Sequence, residues 1–207
     1  MECLIGIKCK DFVLLAHDNS GGRSIVVMKD DQDKMFKLTD KLGMVVSGES
    51  GDAVYFGELI QKNMQLYKMR HGYVLSPHSA ANFTRHQLAE YLRSRTPYMV
   101  NMMIGGYDEQ TDTTSLYYMD YLASLVEVPF AAHGYGAYFV LSVLDRYYRE
   151  DMSQEEGQEL LAKCVMEIQK RLAINLPAFT YYCIDANGIT PKQRITRDQV
   201  VAENMET

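Results

Sequence analysis

Helical periodicity comes in pairs along this chain, and strand-prone runs bracket each pair; few folds accept that order. Residues 3–9 and Phe12 to Asp18 read as strands, separated by Lys10-Asp11 at the spacing of a tight hairpin. Asn19-Ser20-Gly21-Gly22 breaks the chain, and shorter strand-prone pieces follow at 25–28, 35–38 and 44–47. A helix opens at Ser50-Gly51-Asp52, carries Ala53, Phe56, Ile60, Met64 and Tyr67 at three- and four-residue steps, and ends at His71-Gly72. A second begins at Ser76-Pro77, a cap followed by proline at the first helical position. It aligns Ala81, Leu88, Tyr91 and Leu92, and is expected to close at Thr96-Pro97. Strands are expected at 98–104 and 115–121, with Gly105-Gly106 and a polar turn between them. The third helix puts Ala137, Val140, Leu141, Leu144 and Tyr148 on one stripe. The fourth starts with the capping box Ser153-x-x-Glu156 and runs through Leu161, Cys164, Ile168 and Leu172. Residues 178–185 form a last strand, turned by Asn187-Gly188, and the polar remainder from about Thr190 is expected to be a surface tail.

Strands, two helices, strands, two helices, strand: this order predicts α+β layers rather than a βαβ wind. Two packed sheets with a helix pair outside each would bury every apolar stripe. No low-complexity linker interrupts the 207 residues, so one domain spanning 1–207 is expected.

Composition narrows the function. A net charge of −6 and a pI near 5.4 argue against a nucleic-acid partner, whose phosphates require a basic surface. No apolar run approaches the roughly 18 residues of a membrane span. Met1-Glu2-Cys3-Leu4 lacks a basic region and a small-residue cleavage site, so no signal peptide is expected. Cys3, Cys9, Cys164 and Cys183 are far apart and read as reduced intracellular thiols. His78 and His86 could share a helix face, but no ligand-spaced Cys/His cluster exists; no metal site is expected, and the five histidines read as surface residues. Gly134-x-Gly136 lacks the third glycine and the acidic partner of a dinucleotide fingerprint, so no cofactor is expected either.

Several short motifs then line up in order: Val13-Leu14-Leu15-Ala16-His17-Asp18, Lys34-Met35-Phe36, Gly48-Glu49-Ser50-Gly51-Asp52, Leu66-Tyr67-Lys68-Met69-Arg70, Ile104-Gly105-Gly106-Tyr107-Asp108, Leu116-Tyr117-Tyr118-Met119-Asp120 and Gly134-Tyr135-Gly136. Each alone is weak, but together and in sequence they resemble the proteasome β-subunit family over essentially the whole chain. The start Cys3-Leu4-Ile5-Gly6-Ile7, with Met28-Lys29-Asp30-Asp31-x-Asp33-Lys34-Met35, Ser94-Arg95-Thr96-Pro97-Tyr98 and Pro129-Phe130-Ala131-Ala132-His133-Gly134-Tyr135-Gly136, narrows the resemblance to the beta type-2 branch, at the fourth position of the β ring. The resemblance implies a four-layer αββα sandwich of the N-terminal nucleophile hydrolase type, in agreement with the layer order above.

Active members of that family use an N-terminal threonine, whose hydroxyl attacks while its own α-amine accepts the proton. By resemblance, Asp18, Lys34 and Gly48 correspond to the family's acidic residue, lysine and oxyanion glycine. Their offsets put the nucleophile position on Glu2. A carboxylate beside Lys34 is ionised and a poor nucleophile. Cys3 is the alternative nucleophile, exposed by processing; it falls one residue late, and a one-residue slip in a strand turns the side chain to the opposite face. The family's serine after the glycine is replaced by Tyr135, and its late aspartate and serine fall near Leu172 and Asn175. A plainer reading of Asp18 and Lys34 also exists, a strand-ending aspartate and a surface lysine.

The resemblance thus implies a non-catalytic subunit of the 20S core, without catalytic residues of its own and active in ubiquitin-dependent protein degradation. Its implied partners are other α- and β-type subunits in stacked seven-membered rings, and its own copy in the opposing β ring. Cytoplasm and nucleus are the expected locations. An α-ring subunit is disfavoured, because no helix is expected ahead of the first strand.

Overall fold

The computed structural model describes residues 2–23, 26–174 and 176–196. The chain opens with an antiparallel hairpin of β1 (Leu4–Lys8) and β2 (Phe12–Asp18), in which Leu4 faces His17 and Lys8 faces Val13. A two-stranded ribbon follows, β3 (Gly21–Arg23) and β4 (Val26–Lys29). β5 (Met35–Thr39) and β6 (Leu42–Gly48) then lead into α1 (Ser50–His71) and α2 (Pro77–Leu92). Four strands come next: β7 (Val100–Asp108), β8 (Thr113–Met119), β9 (Leu125–Glu127) and β10 (Phe130–His133). α3 (Ala137–Tyr147) and α4 (Gln154–Arg171) precede β11 (Ala178–Asp185), β12 (Gly188–Ile189) and β13 (Gln193–Thr196).

One sheet runs β10-β1-β2-β11, with β12 and β13 both paired to β11; the other runs β5 to β9 in chain order. Every pairing in both sheets is antiparallel. Strand alternation distributes the apolar residues among three cores. Ile5, Ile7, Phe12 and Leu14 face Val140 and Leu144 of α3 and Leu161, Cys164 and Ile168 of α4. Met44, Val46, Met102 and Ile104 face Phe56, Ile60 and Met64 of α1 and Leu88 of α2. Leu4, Val13, Leu15, Val45, Met103 and Leu116 fill the space between the sheets. The result is the expected α+β sandwich of four layers, helix pair, sheet, sheet, helix pair.

Local signals fix the helix ends. Gly72 adopts φ +79 and returns its N–H to the Lys68 carbonyl, a left-handed stop that a side chain disfavours. Ser76 caps α2 ahead of Pro77, and the capping box Ser153/Glu156 is formed in both directions. α2 ends earlier than Thr96-Pro97, because the Ser94 N–H closes a short turn onto the Tyr91 carbonyl.

Three expectations need correction. Gly105 and Gly106 lie inside β7 rather than in a turn. A Cβ on Gly105 would stand 2.8 Å from Val13 Cγ1, so the close approach of the two sheets, not a bend, accounts for this glycine. The stretch after Thr190 is not only a tail, since β13 pairs with β11 from Ala178–Thr196 to Tyr181–Gln193. And two histidines are core residues: His17 is fully buried and His133 nearly so.

Candidate functional site

Four chain segments meet at the ends of strands from the two sheets. Glu2 precedes β1, Asp18 ends β2, Lys34 stands immediately before β5 and Gly48 ends β6. Lys34 Nζ lies 2.9 Å from Asp18 Oδ1 and 3.2 Å from Glu2 Oε1. The Gly48 N–H donates to Glu2 Oε2 at 2.6 Å. The lysine and aspartate side chains are 2% and 0% exposed, and that of Glu2 is 22% exposed. The surface lysine of the plainer reading is therefore a buried one.

Asp18 is fully engaged. Its Oδ1 also accepts the Cys3 N–H at 2.7 Å, and Oδ2 accepts the Ser20 N–H at 3.0 Å. Such donors offset the cost of burying a carboxylate whose single cation is shared. Gly48 has φ +144, and a Cβ there would run into the Met99 carbonyl oxygen, so only glycine presents this N–H.

Cys3 occupies the other face of the same segment. Glu2 points toward Lys34, whereas Cys3 packs in the core among Val140, Cys164 and Ile168 and is 1% exposed. Burial, reinforced by the Asp18 carboxylate, pushes its thiol well above the ordinary cysteine range, so little thiolate forms there. Gly134-Tyr135-Gly136 lies against this segment: a Cβ on Gly134 would strike the Glu2 carbonyl oxygen, and one on Gly136 the Cys3 sulfur. The Tyr135 side chain between them is exposed. Leu172 ends α4 and packs against the core of that sheet; Asn175 lies outside the described residues.

A second cluster adjoins the first. His17 Nδ1 is 3.0 Å from the Asp18 carbonyl oxygen, and Nε2 is 3.1 Å from Asp33 Oδ1. Asp33 also accepts the Met35 N–H at 3.1 Å and the Tyr182 hydroxyl at 2.7 Å, and Lys192 Nζ lies 3.3 Å away. Burial opposes ionisation of Asp33, but the hydrogen bonds from His17, Tyr182 and the Met35 N–H outweigh it and hold its carboxyl below the usual range. Sequence reasoning gave this group no role; its signals were His17, which follows the apolar run Val13 to Ala16, and Asp33 within the motif Met28 to Met35.

Chemically, the side chain that bridges Lys34 and the Gly48 N–H is a carboxylate, a group suited to holding a charge pair and unsuited to attacking a carbonyl. Among the described residues no group of three His, Cys, Asp or Glu could hold a metal ion, and no helix is long and apolar enough to cross a membrane.

Comparison with known proteins gives a consistent set of relatives. Residues 2–184 match the sequence profile of the family described as proteasome subunit. The chain is 43% identical over 189 residues to the proteasome subunit beta type-4 of Saccharomyces cerevisiae, covering 91% of this chain and 96% of that one. It is 46% identical over 188 residues to the proteasome subunit beta type-2-A of Arabidopsis thaliana, covering 91% of each. The beta type-2 of Oryza sativa subsp. japonica is 45% identical over 188 residues, 91% of this chain and 88% of the relative.

Proposed function

We propose, from the premise that the chain belongs to the proteasome subunit family as a β-type member, that it is a subunit of the 20S core that builds the proteolytic chamber without cutting peptides itself. The observation that carries this reading is Glu2. It stands where Lys34, Asp18 and the Gly48 N–H converge, and its carboxylate is tied to two of them. A carboxyl group in that position supplies neither the hydroxyl nor the proton-accepting amine that an N-terminal threonine brings. Removing a nucleophile alone costs orders of magnitude in rate, even when its neighbours stay.

Cys3 would be the nucleophile of a self-processing peptidase. Its burial in the core and the raised thiol both count against that alternative. A chain with these properties contributes structure. We infer that it acts as a single folded unit within stacked seven-membered rings of α- and β-type subunits, meeting its own copy in the opposing β ring, in cytoplasm and nucleus.

Isolation of the chain from its own cells tests both halves of the reading. It is expected to elute only in a large particle with other proteasome subunits. An electrophilic probe for N-terminal threonines is expected to label neighbours and leave this chain unlabelled. A stable free monomer would sink the ring assignment. Adduct formation on a mature chain beginning at Cys3 would sink the non-catalytic one.

A further inference from the structure

Glu2 is bound as a ligand would be. Its two oxygens are shared between two donors, Oε1 at 3.2 Å from Lys34 Nζ and Oε2 at 2.6 Å from the Gly48 nitrogen. Neither donor depends on Glu2 for its position. Lys34 Nζ is held at 2.9 Å by Asp18, itself fixed by the N–H groups of Cys3 and Ser20. Gly48 is held by its backbone pairing to Val100 and by the Glu49 N–H bonded to the Met99 carbonyl. An ammonium carries three donors, of which Asp18 takes one, so a further acceptor is accommodated. Gly48 also lies two residues ahead of Ser50, the first residue of α1, where the helix end favours negative charge.

We propose that Lys34 Nζ and the Gly48 N–H form a preorganised cradle for a small carboxylate, and that the chain plugs this cradle with its own Glu2. The ligand class is a monocarboxylate or the terminal carboxylate of a peptide, recognised by one charged donor and one backbone donor. In the wild type, the start of β1 holds the Glu2 backbone beside the cradle, so its effective concentration exceeds that of a dilute free acid and the cradle stays closed. The exposed part of the Glu2 side chain marks the way in. This inference stands on the local geometry and holds whether or not the chain works within a ring.

Cutting the plug back tests it. The full chains carrying Glu2→Ala and Glu2→Gln are compared with wild type, in whatever assembly each purifies, in formate and in chloride at equal ionic strength. Formate is expected to raise the unfolding temperature of Glu2→Ala saturably, as a ligand that binds only the folded state does, and to leave wild type unmoved. Glu2→Gln keeps the plug's shape and is expected to resist formate. A structure of Glu2→Ala in formate is expected to hold one formate between Lys34 Nζ and the Gly48 nitrogen. If Glu2→Ala folds poorly, formate but not chloride is expected to restore it. Equal responses of wild type and Glu2→Ala, or a site in Glu2→Ala that collapses or holds only water, would overturn the proposal. Elution of the wild-type chain reads the ring assignment separately.

Discussion

Lys34 serves two carboxylates, and their unequal burial decides what each substitution does. Asp18 is sealed in, whereas Glu2 reaches partly into solvent. Lys34→Met leaves the Asp18 carboxylate buried without a cation, a change that typically costs about 3–5 kcal/mol. Denaturant unfolding is expected to register that loss, and adding Asp18→Asn to Lys34→Met is expected to recover part of it. Recovery of nothing would mean that the charge pair is not what the lysine supports. Asp33 makes a prediction about pH. Its folded carboxyl is held below the unfolded value of about 3.9, chiefly because hydrogen bonds from His17, Tyr182 and Met35 overcome burial. A depressed carboxylate contributes stability above the unfolded value and loses it as pH falls through the folded one. Asp33→Asn is therefore expected to be less stable than wild type near neutrality, with the gap closing below about pH 4. A gap that persists unchanged into strong acid would contradict the assignment. Glu2, Asp18, Lys34 and Gly48 were legible in the sequence because family offsets related them. The role of Asp33, present in the sequence only as part of a motif, was not legible, because its partner Tyr182 lies 149 residues away and no local pattern joins them.

The two sheets are joined most tightly where side chains are absent. A Cβ on Gly6 would lie 2.9 Å from Met103 Sδ, and one on Gly105 2.8 Å from Val13 Cγ1. Gly105→Val overfills that contact and is expected to cost about 1–3 kcal/mol in unfolding free energy, the usual penalty of a forced core insertion. His133 joins the sheets by a different means. It belongs to β10 of one sheet, its Nε2 lies 3.1 Å from the Met102 carbonyl oxygen of the other, and its ring stacks on Tyr118. Burial lowers its pKa, so protonation is disfavoured in the folded state. The unfolded chain then binds a proton more readily than the folded one. Stability is full above the unfolded value of about 6.5 and declines as pH falls below it. His133→Gln is expected to flatten the wild-type decline between about pH 6.5 and 5; an unchanged slope would place the titration elsewhere. The long amphipathic helices and the central strands were legible because periodicity and caps are local. Gly105 in mid-strand was misread, since a glycine demanded by a neighbouring sheet looks the same in sequence as one demanded by a turn. β9 and β10 are short pieces made regular only by pairing with β8 and β1, so nothing local announced them.

Seen as a whole molecule, the fold satisfies its cores and still leaves apolar side chains exposed on α1, where Val54, Tyr55 and Met69 reach solvent, and on α3. α3 buries Val140 and Leu144, yet its outer face carries Tyr138 at 80% and Leu141 at 42% exposure, with exposed Tyr135 just ahead of it. Scattered exposed apolar side chains are ordinary. A helix apolar on opposite faces is not ordinary, because a surface helix confines its apolar residues to the inner stripe. Within the ring reading, a neighbouring subunit covers that outer face. The isolated chain gains little from Tyr138, so Tyr138→Glu is expected to change its stability by no more than about 0.5 kcal/mol, the usual range for surface substitutions. The same change puts a charge where an assembled particle would exclude water, and an unpaired buried charge is strongly unfavourable. Native electrophoresis of particles from cells expressing the variant is expected to show it depleted from the large particle and enriched in incomplete forms. Full incorporation, with the same particle yield as wild type, would mean that the outer face of α3 stays in solvent and that ring contacts lie elsewhere on the molecule.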